Sequence, residues 1–156
     1  MKTILIYNII GIALAAAVII PLAAAEGDNY TTQTQRIYKA ACKNGSHLRA
    51  LLVNGISINA IDKQGNTALM LAAAANQIQV VALLVNNGAN VNMQNQAGDT
   101  ALMLATANGA TEIVCLLLDA NASPNIKNRK GETAIQIAHN AGYEDIAGII
   151  GRAGGQ

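Results

Sequence analysis

The chain has 156 residues, of which 52% are hydrophobic and only 12% charged. It has no Trp, no Phe and four Tyr, so Ala, Leu, Ile and Val must build its core, which suits thin, closely spaced helix pairs. A formal net charge of +1 excludes the electrostatic footprint of a nucleic-acid binder and the basic face that holds a protein on an anionic membrane.

Residues 1–25 differ in kind from the rest. Lys2 supplies a short positive segment, Ile4 to Leu22 is nearly all apolar, Pro21 interrupts it, and Ala23-Ala24-Ala25 precede Glu26. That order predicts a secretory signal peptide cleaved near Ala25. The leader is short, its cleavage site is plain alanine, and no Cys follows the apolar run, so the mature chain is expected in a bacterial periplasm or secreted. The rival expectation is a retained membrane anchor, because the run from Ile4 to Leu22 nearly spans a bilayer. Without Lys2, the basic count falls from 10 to 9 and equals the 9 acidic side chains. Residues 26–34 are polar, contain Gly27 and Asp28, and are expected to form a flexible tether.

The helical signal begins at Gln35. Ile37, Ala40 and Ala41 fall at helical spacing, with Arg36 and Lys39 on the other side, and a second helix carries Leu48, Leu51 and Leu52. Next comes Asp62-Lys63-Gln64-Gly65, which reads as a β-turn closed by Gly. The octapeptide Gly65-Asn66-Thr67-Ala68-Leu69-Met70-Leu71-Ala72 follows. It returns as Gly98-Asp99-Thr100-Ala101-Leu102-Met103-Leu104-Ala105 and as Gly131-Glu132-Thr133-Ala134-Ile135-Gln136-Ile137-Ala138, each time after 33 residues. A fixed period of this size marks an array whose unit is one supersecondary element. Within each unit Thr is placed to cap the first helix. The second helix carries Val80, Val81, Leu83 and Leu84, then Ile113, Val114, Leu116 and Leu117, then Ile146, Ile149 and Ile150. Gly88 ends one second helix, and Asn121 stands in the same place 33 residues on. Both tolerate the left-handed conformation used there.

The repeated octapeptide, with its preceding Asp or Asn turn and its Gly-Ala-x-x-Asn element, resembles the ankyrin-repeat family. The resemblance covers residues 35–151 and implies an all-α solenoid of about four helix-turn-helix units with short β-turn tips. The units are 35–61, 62–94, 95–127 and 128–151, and 152–156 is expected to be a frayed tail. In the first unit Gly45 lies 64 residues before Gly109 rather than 66, so two residues are missing from the turn between its helices. An irregular, polar terminal unit is what an array needs, because its outer face has no neighbour. The family's Pro is replaced by Ala68, Ala101 and Ala134, a mild change at a helix start. Its His is replaced by Met70, Met103 and Gln136, which is expected to remove the Thr–His hydrogen bonds that stiffen the first helix.

The resemblance also implies a function. Ankyrin arrays grip other proteins with their turn tips and the inward face of the first helices. Those tips are Lys63, Gln64 and Asn66; Gln96, Ala97 and Asp99; Arg129, Lys130 and Glu132. The inward helix positions are Ala74 and Ala75, Ala107 and Asn108, Asn140 and Ala141, with Met70, Met103 and Gln136 expected to line the row between them. Lys127, Arg129 and Lys130 give the last tip a local positive charge. The expected protein is a monomeric, non-catalytic interaction module with one protein partner and no cofactor, metal, nucleic-acid or small-molecule ligand. Similarity to exported bacterial ankyrin proteins implies support of stress defence, or alternatively neutralisation of a toxin or enzyme; a retained leader would make it a membrane-tethered interaction protein.

Other constellations do not rise to chemistry. Cys42 and Cys115 lie two units apart, about 20 Å at the spacing of packed helices, beyond disulfide reach, and are expected to be unpaired, buried helix residues. His47 and His139 have no Cys or carboxylate at ligand spacing and no orienting group for a nucleophile. Gly154-Gly155-Gln156 matches a release-factor tripeptide but lacks that family's domain.

Overall fold

The computed structural model describes residues 29–154, so the leader and the first residues of the expected tether lie outside the described residues. Eight helices are found among them: α1 (Asn29–Lys43), α2 (Gly45–Val53), α3 (Ala68–Ala74), α4 (Ile78–Asn86), α5 (Ala101–Ala107), α6 (Thr111–Asp119), α7 (Ala134–Ala141) and α8 (Glu144–Gly154). They form four antiparallel hairpins. The first helices α1, α3, α5 and α7 stack as one row, and α4, α6 and α8 stack as a second row behind them. None of these helices is long and apolar enough to cross a membrane.

The period dictates this arrangement. The first helices are seven or eight residues long in the last three units, about two turns. Such a helix is too short to stand alone in water and is stabilised by packing. Their Ala-rich faces allow that packing to be close: Ala68, Ala72, Ala101, Ala105, Ala134 and Ala138 are all buried. The second helices close the core with Val81 and Leu84, Val114 and Leu117, and Ile146 and Ile150. Leu84 and Leu117, one period apart, are completely buried.

The helix ends follow the sequence. The Thr67 hydroxyl accepts from the Met70 backbone N–H and that of Thr100 from Met103 N–H, each at 3.3 Å. Gly88 has φ +86° and Asn121 φ +62°, the left-handed conformations expected at those helix exits. The first hairpin is joined by Asn44 alone, whereas three residues join α3 to α4 and α5 to α6; the two missing residues are thus real. Asn44 compensates by capping α2, accepting from His47 N–H at 3.0 Å.

Both ends of the array are more ordered than the sequence suggested. Residues 29–34 of the expected tether are the opening turns of α1. Thr34 is fully buried, and its hydroxyl donates to the Ala60 carbonyl at 2.9 Å, which fastens this extension to the loop after α2. At the other end α8 runs on through Arg152 to Gly154. Arg152 lies in the last turn of that helix, where a cation meets the negative end of the helix dipole.

Candidate functional site

The three turn tips are built from one device. Asp62, Asn95 and Asn128 each open a turn in which the Gly three residues on donates back to their carbonyl at 2.9 Å. Their side chains then organise the loop. Asp62 Oδ1 accepts from Gln64 N–H and Asn66 N–H, Asn95 Oδ1 from Ala97 N–H and Asp99 N–H, and Asn128 Oδ1 from Lys130 N–H and Glu132 N–H, at 2.7–3.0 Å. A short Asp or Asn side chain suits this role because its oxygen reaches backbone donors two residues ahead.

The tips are also fastened to each other. Gln96 N–H donates to the Gln64 carbonyl and Arg129 N–H to the Ala97 carbonyl, both at 2.9 Å. The Asn95 amide donates to Asn66 Oδ1 at 2.9 Å, and the Asn128 amide to Asp99 Oδ1 at 3.0 Å and to Glu132 Oε2 at 3.4 Å. Asn140 on α7 completes the line by donating to Glu132 Oε1 at 3.2 Å. Gln96 Nε2 adds a bond to the Lys63 carbonyl at 2.8 Å. Lower down, Asn108 bridges α5 to α3 through the Ala74 carbonyl at 3.1 Å. The result is a continuous polar spine along three tips.

Of the residues expected on the strip, Lys63, Gln64, Gln96, Asn108, Arg129, Lys130, Gln136 and Asn140 are exposed, while Asn66, Asp99 and Glu132 are half-buried and held in the spine. Ala74, Ala75, Ala107 and Ala141 are exposed beside them, which leaves the inward face low and open. Two expectations fail. Met70 and Met103 are 1% and 2% exposed and belong to the core; they do not line the surface row. A first helix that packs on both its neighbours and its own hairpin partner leaves no room at this position for an outward side chain. Gln136, at the same position in the last hairpin, is exposed because no further hairpin packs on it among the described residues.

The buried methionine also retains part of what the His substitution was expected to remove. Met70 Sδ accepts from Thr67 N–H at 3.5 Å, and Gln136 Oε1 accepts from Thr133 N–H at 2.9 Å. A thioether is a weak acceptor, yet it closes the reciprocal cap at that helix start.

The cysteines are unpaired, but Cys42 is exposed and Cys115 half-buried, so the expectation of two buried thiols is wrong. Cys42 lies one residue before the end of α1, where the short linker leaves it uncovered; its Sγ donates to Gln77 Oε1 at 3.3 Å. The Tyr38 hydroxyl is pushed above its ordinary pKa, first by burial and then by the Cys42 thiol beside it. His139 faces Glu144 at 3.1 Å across the last hairpin, a clip between α7 and α8.

Between the second and third tips the inward face deepens into a cleft of about 210 Å³. Its apolar lining is Ala97, Met103, Leu104, Ala107 and Ile137, and its polar lining is Asp99, Asn128, Lys130 and Glu132. The positive charge expected at this tip is therefore offset, on the inward side, by two carboxylates.

The fold and the turn chemistry agree with one family. The model for ankyrin repeats in three copies matches residues 19–95, 37–128 and 83–153. This chain belongs to the ankyrin-repeat family. Comparison with curated proteins gave no significant match. Ankyrin repeats are generic protein–protein interaction modules and are typically non-catalytic. In this ankyrin array the family's two surface elements, the tips and the inward helix face, are both formed and contiguous. Sequence reasoning missed the cleft and the spine; the Asp or Asn recurring four residues before Asn66, Asp99 and Glu132 was the available signal.

Proposed function

We propose that the protein is an exported, non-catalytic scaffold that binds one protein partner along the tips and the inward face of its first helices. The carrying observation is the spine. Hydrogen bonds hold the three tips at fixed spacing, so a partner can touch several repeats at once without ordering them first, and preorganisation of that kind favours binding. The outward side chains of the second helices, Gln79, Asn86, Glu112 and Asp119, are exposed, scattered and polar, a poor anchor. Export is supported by the charged, apolar and small-residue segments of residues 1–25. Support of a stress-defence enzyme and neutralisation of a toxin would both use this same strip.

The test is capture from a bacterial periplasmic extract by the chain lacking residues 1–25. Ala74→Arg with Ala107→Arg places two long side chains on the open face and should reduce capture of the main partner by about tenfold, or roughly 1.4 kcal/mol. Gln79→Lys with Glu112→Lys on the outer helices should leave capture unchanged. The reverse pattern would move the binding face to the outer helices.

A further inference from the structure

The cleft between the second and third tips has chemistry that selects its occupant. At about 210 Å³ it falls below the roughly 300–1,000 Å³ of sites for drug-sized ligands; it is the size of an anchor pocket for one side chain. Its apolar lining suits a run of methylenes. Its polar lining carries the carboxylates of Asp99 and Glu132 against the single ammonium of Lys130, so the walls are net negative by one charge.

The two carboxylates are brought together by one group. The Asn128 amide donates to Asp99 Oδ1 and to Glu132 Oε2. Among the described residues, the hydrogen bonds that these carboxylates accept come from the side-chain amides of Asn128 and Asn140, and neither carboxylate forms an ion pair there. Two like charges held side by side, neither of them ion-paired, favour the entry of a cation. The position is specific to this junction. At the equivalent place one tip earlier stands neutral Asn66, whose Oδ1 accepts from Asn95 as Asp99 does from Asn128.

Resting on the reading of the strip as a protein-binding face, we propose that this cleft is the anchor pocket for a basic side chain of the partner. A Lys or Arg would lay its methylene stem over Leu104, Ala107 and Ile137 and set its charged head between Asp99 and Glu132. Long basic side chains divide in this way between apolar stem and charged tip.

The probes are N-acetyl arginine amide and N-acetyl lysine amide, titrated into the mature chain and followed by amide chemical shifts. Saturable shifts should appear at Asp99, Asn128 and Glu132 and at Ala107. N-acetyl norleucine amide, which has the stem without the charge, and N-acetyl glutamate amide, whose charge the two carboxylates repel, should give none at matched concentration. The variant Asp99→Asn with Glu132→Gln should weaken arginine amide binding about tenfold, as loss of a close charge pair does. Asn66 already shows that an amide fits the spine at this position, so the variant should fold, and circular dichroism checks it. Equal shifts with the glutamate or norleucine probe, or undiminished binding by the variant, would overturn the proposal. The strip itself is judged separately. If Ala74→Arg with Ala107→Arg abolishes partner capture but Asp99→Asn with Glu132→Gln does not, the cleft is not the anchor and the strip stands. If neither reduces capture, the strip reading falls, and the probe titration still decides the cleft.

Discussion

Met70 and Met103 show how far one residue can be read from its type. A Met at helical spacing in a first helix is apolar and adaptable, equally suited to a groove or a core, and only the packing of neighbouring hairpins decides. Because both are buried, Met70→Asp or Met103→Asp should act on stability before binding. A buried charge without a partner costs about 3–5 kcal/mol, a large part of the total for a small domain. Urea unfolding should show the loss; a midpoint within error of wild type would return these residues to the surface. Thr106 poses the opposite case. It is fully buried in α5, and its hydroxyl has no hydrogen-bond partner among the described residues, while Ala73 fills the same position one repeat earlier. A buried, unpaired hydroxyl costs about 1–3 kcal/mol. Thr106→Val, of similar shape, should therefore raise stability by about 1 kcal/mol or more, read from the same unfolding curves. The sequence could not distinguish Thr106 from a satisfied threonine, because the partner that is missing is a tertiary one.

At the scale of elements the turn glycines make a sharper test than the helices. Gly65, Gly98 and Gly131 all have φ near +80°, where a side chain costs roughly 1–2 kcal/mol. They differ in what lies nearby. A Cβ on Gly98 would sit 2.8 Å from Arg129 N and 3.0 Å from Asn128 Cα, whereas one on Gly131 would meet nothing within 4 Å. Gly131→Ala should thus cost only the backbone strain, and Gly98→Ala should cost more and loosen the joint between two tips. Thermal unfolding of the pair measures the difference; equal losses would mean that the tips are not closely stacked. The existence and type of the helices were legible, in the 33-residue period for the last three hairpins and in the helical spacing of Ile37, Ala40 and Ala41 and of Leu48, Leu51 and Leu52 for the first. Their outer limits were not. The start of α1 is held by Thr34 bonding a carbonyl 26 residues away, and a polar contact of that reach leaves no local pattern. Within the first hairpin, the count of missing residues was read correctly from the 64-residue interval between Gly45 and Gly109.

For the whole molecule, the strip was legible as a surface but not as a structure. The family resemblance placed exposed residues at Arg129, Lys130 and Gln96, and they are exposed. It did not reveal that Asn66 and Asp99 are engaged with the next tip, since each bond joins residues 29 apart and depends on how repeats stack. If the spine is one object, its members should be energetically coupled. Asn95 accepts from Asp99 N–H, and Asp99 accepts from Asn128, so Asn95→Ala and Asn128→Ala share a residue. Each should destabilise by about 1–3 kcal/mol, and a double-mutant cycle should return a coupling of about 0.5 kcal/mol or more. Strict additivity would show three independent turns.

The same division of labour within each tip sets where this molecule can be rewritten. The first, fourth and fifth residues of a tip fix its geometry, through the Asp or Asn, the Gly, and the spine side chain that follows. The second and third residues, such as Arg129 and Lys130, take part mainly through their backbone. At Gln64, Ala97, Arg129 and Lys130 the side chain can be exchanged without disturbing a hydrogen bond of the spine, whereas the Gln96 amide reaches the neighbouring tip. The array is therefore a rack of interchangeable positions at one spacing. New partner preferences could be installed at Gln64, Ala97, Arg129 and Lys130 while the frame that presents them stays untouched.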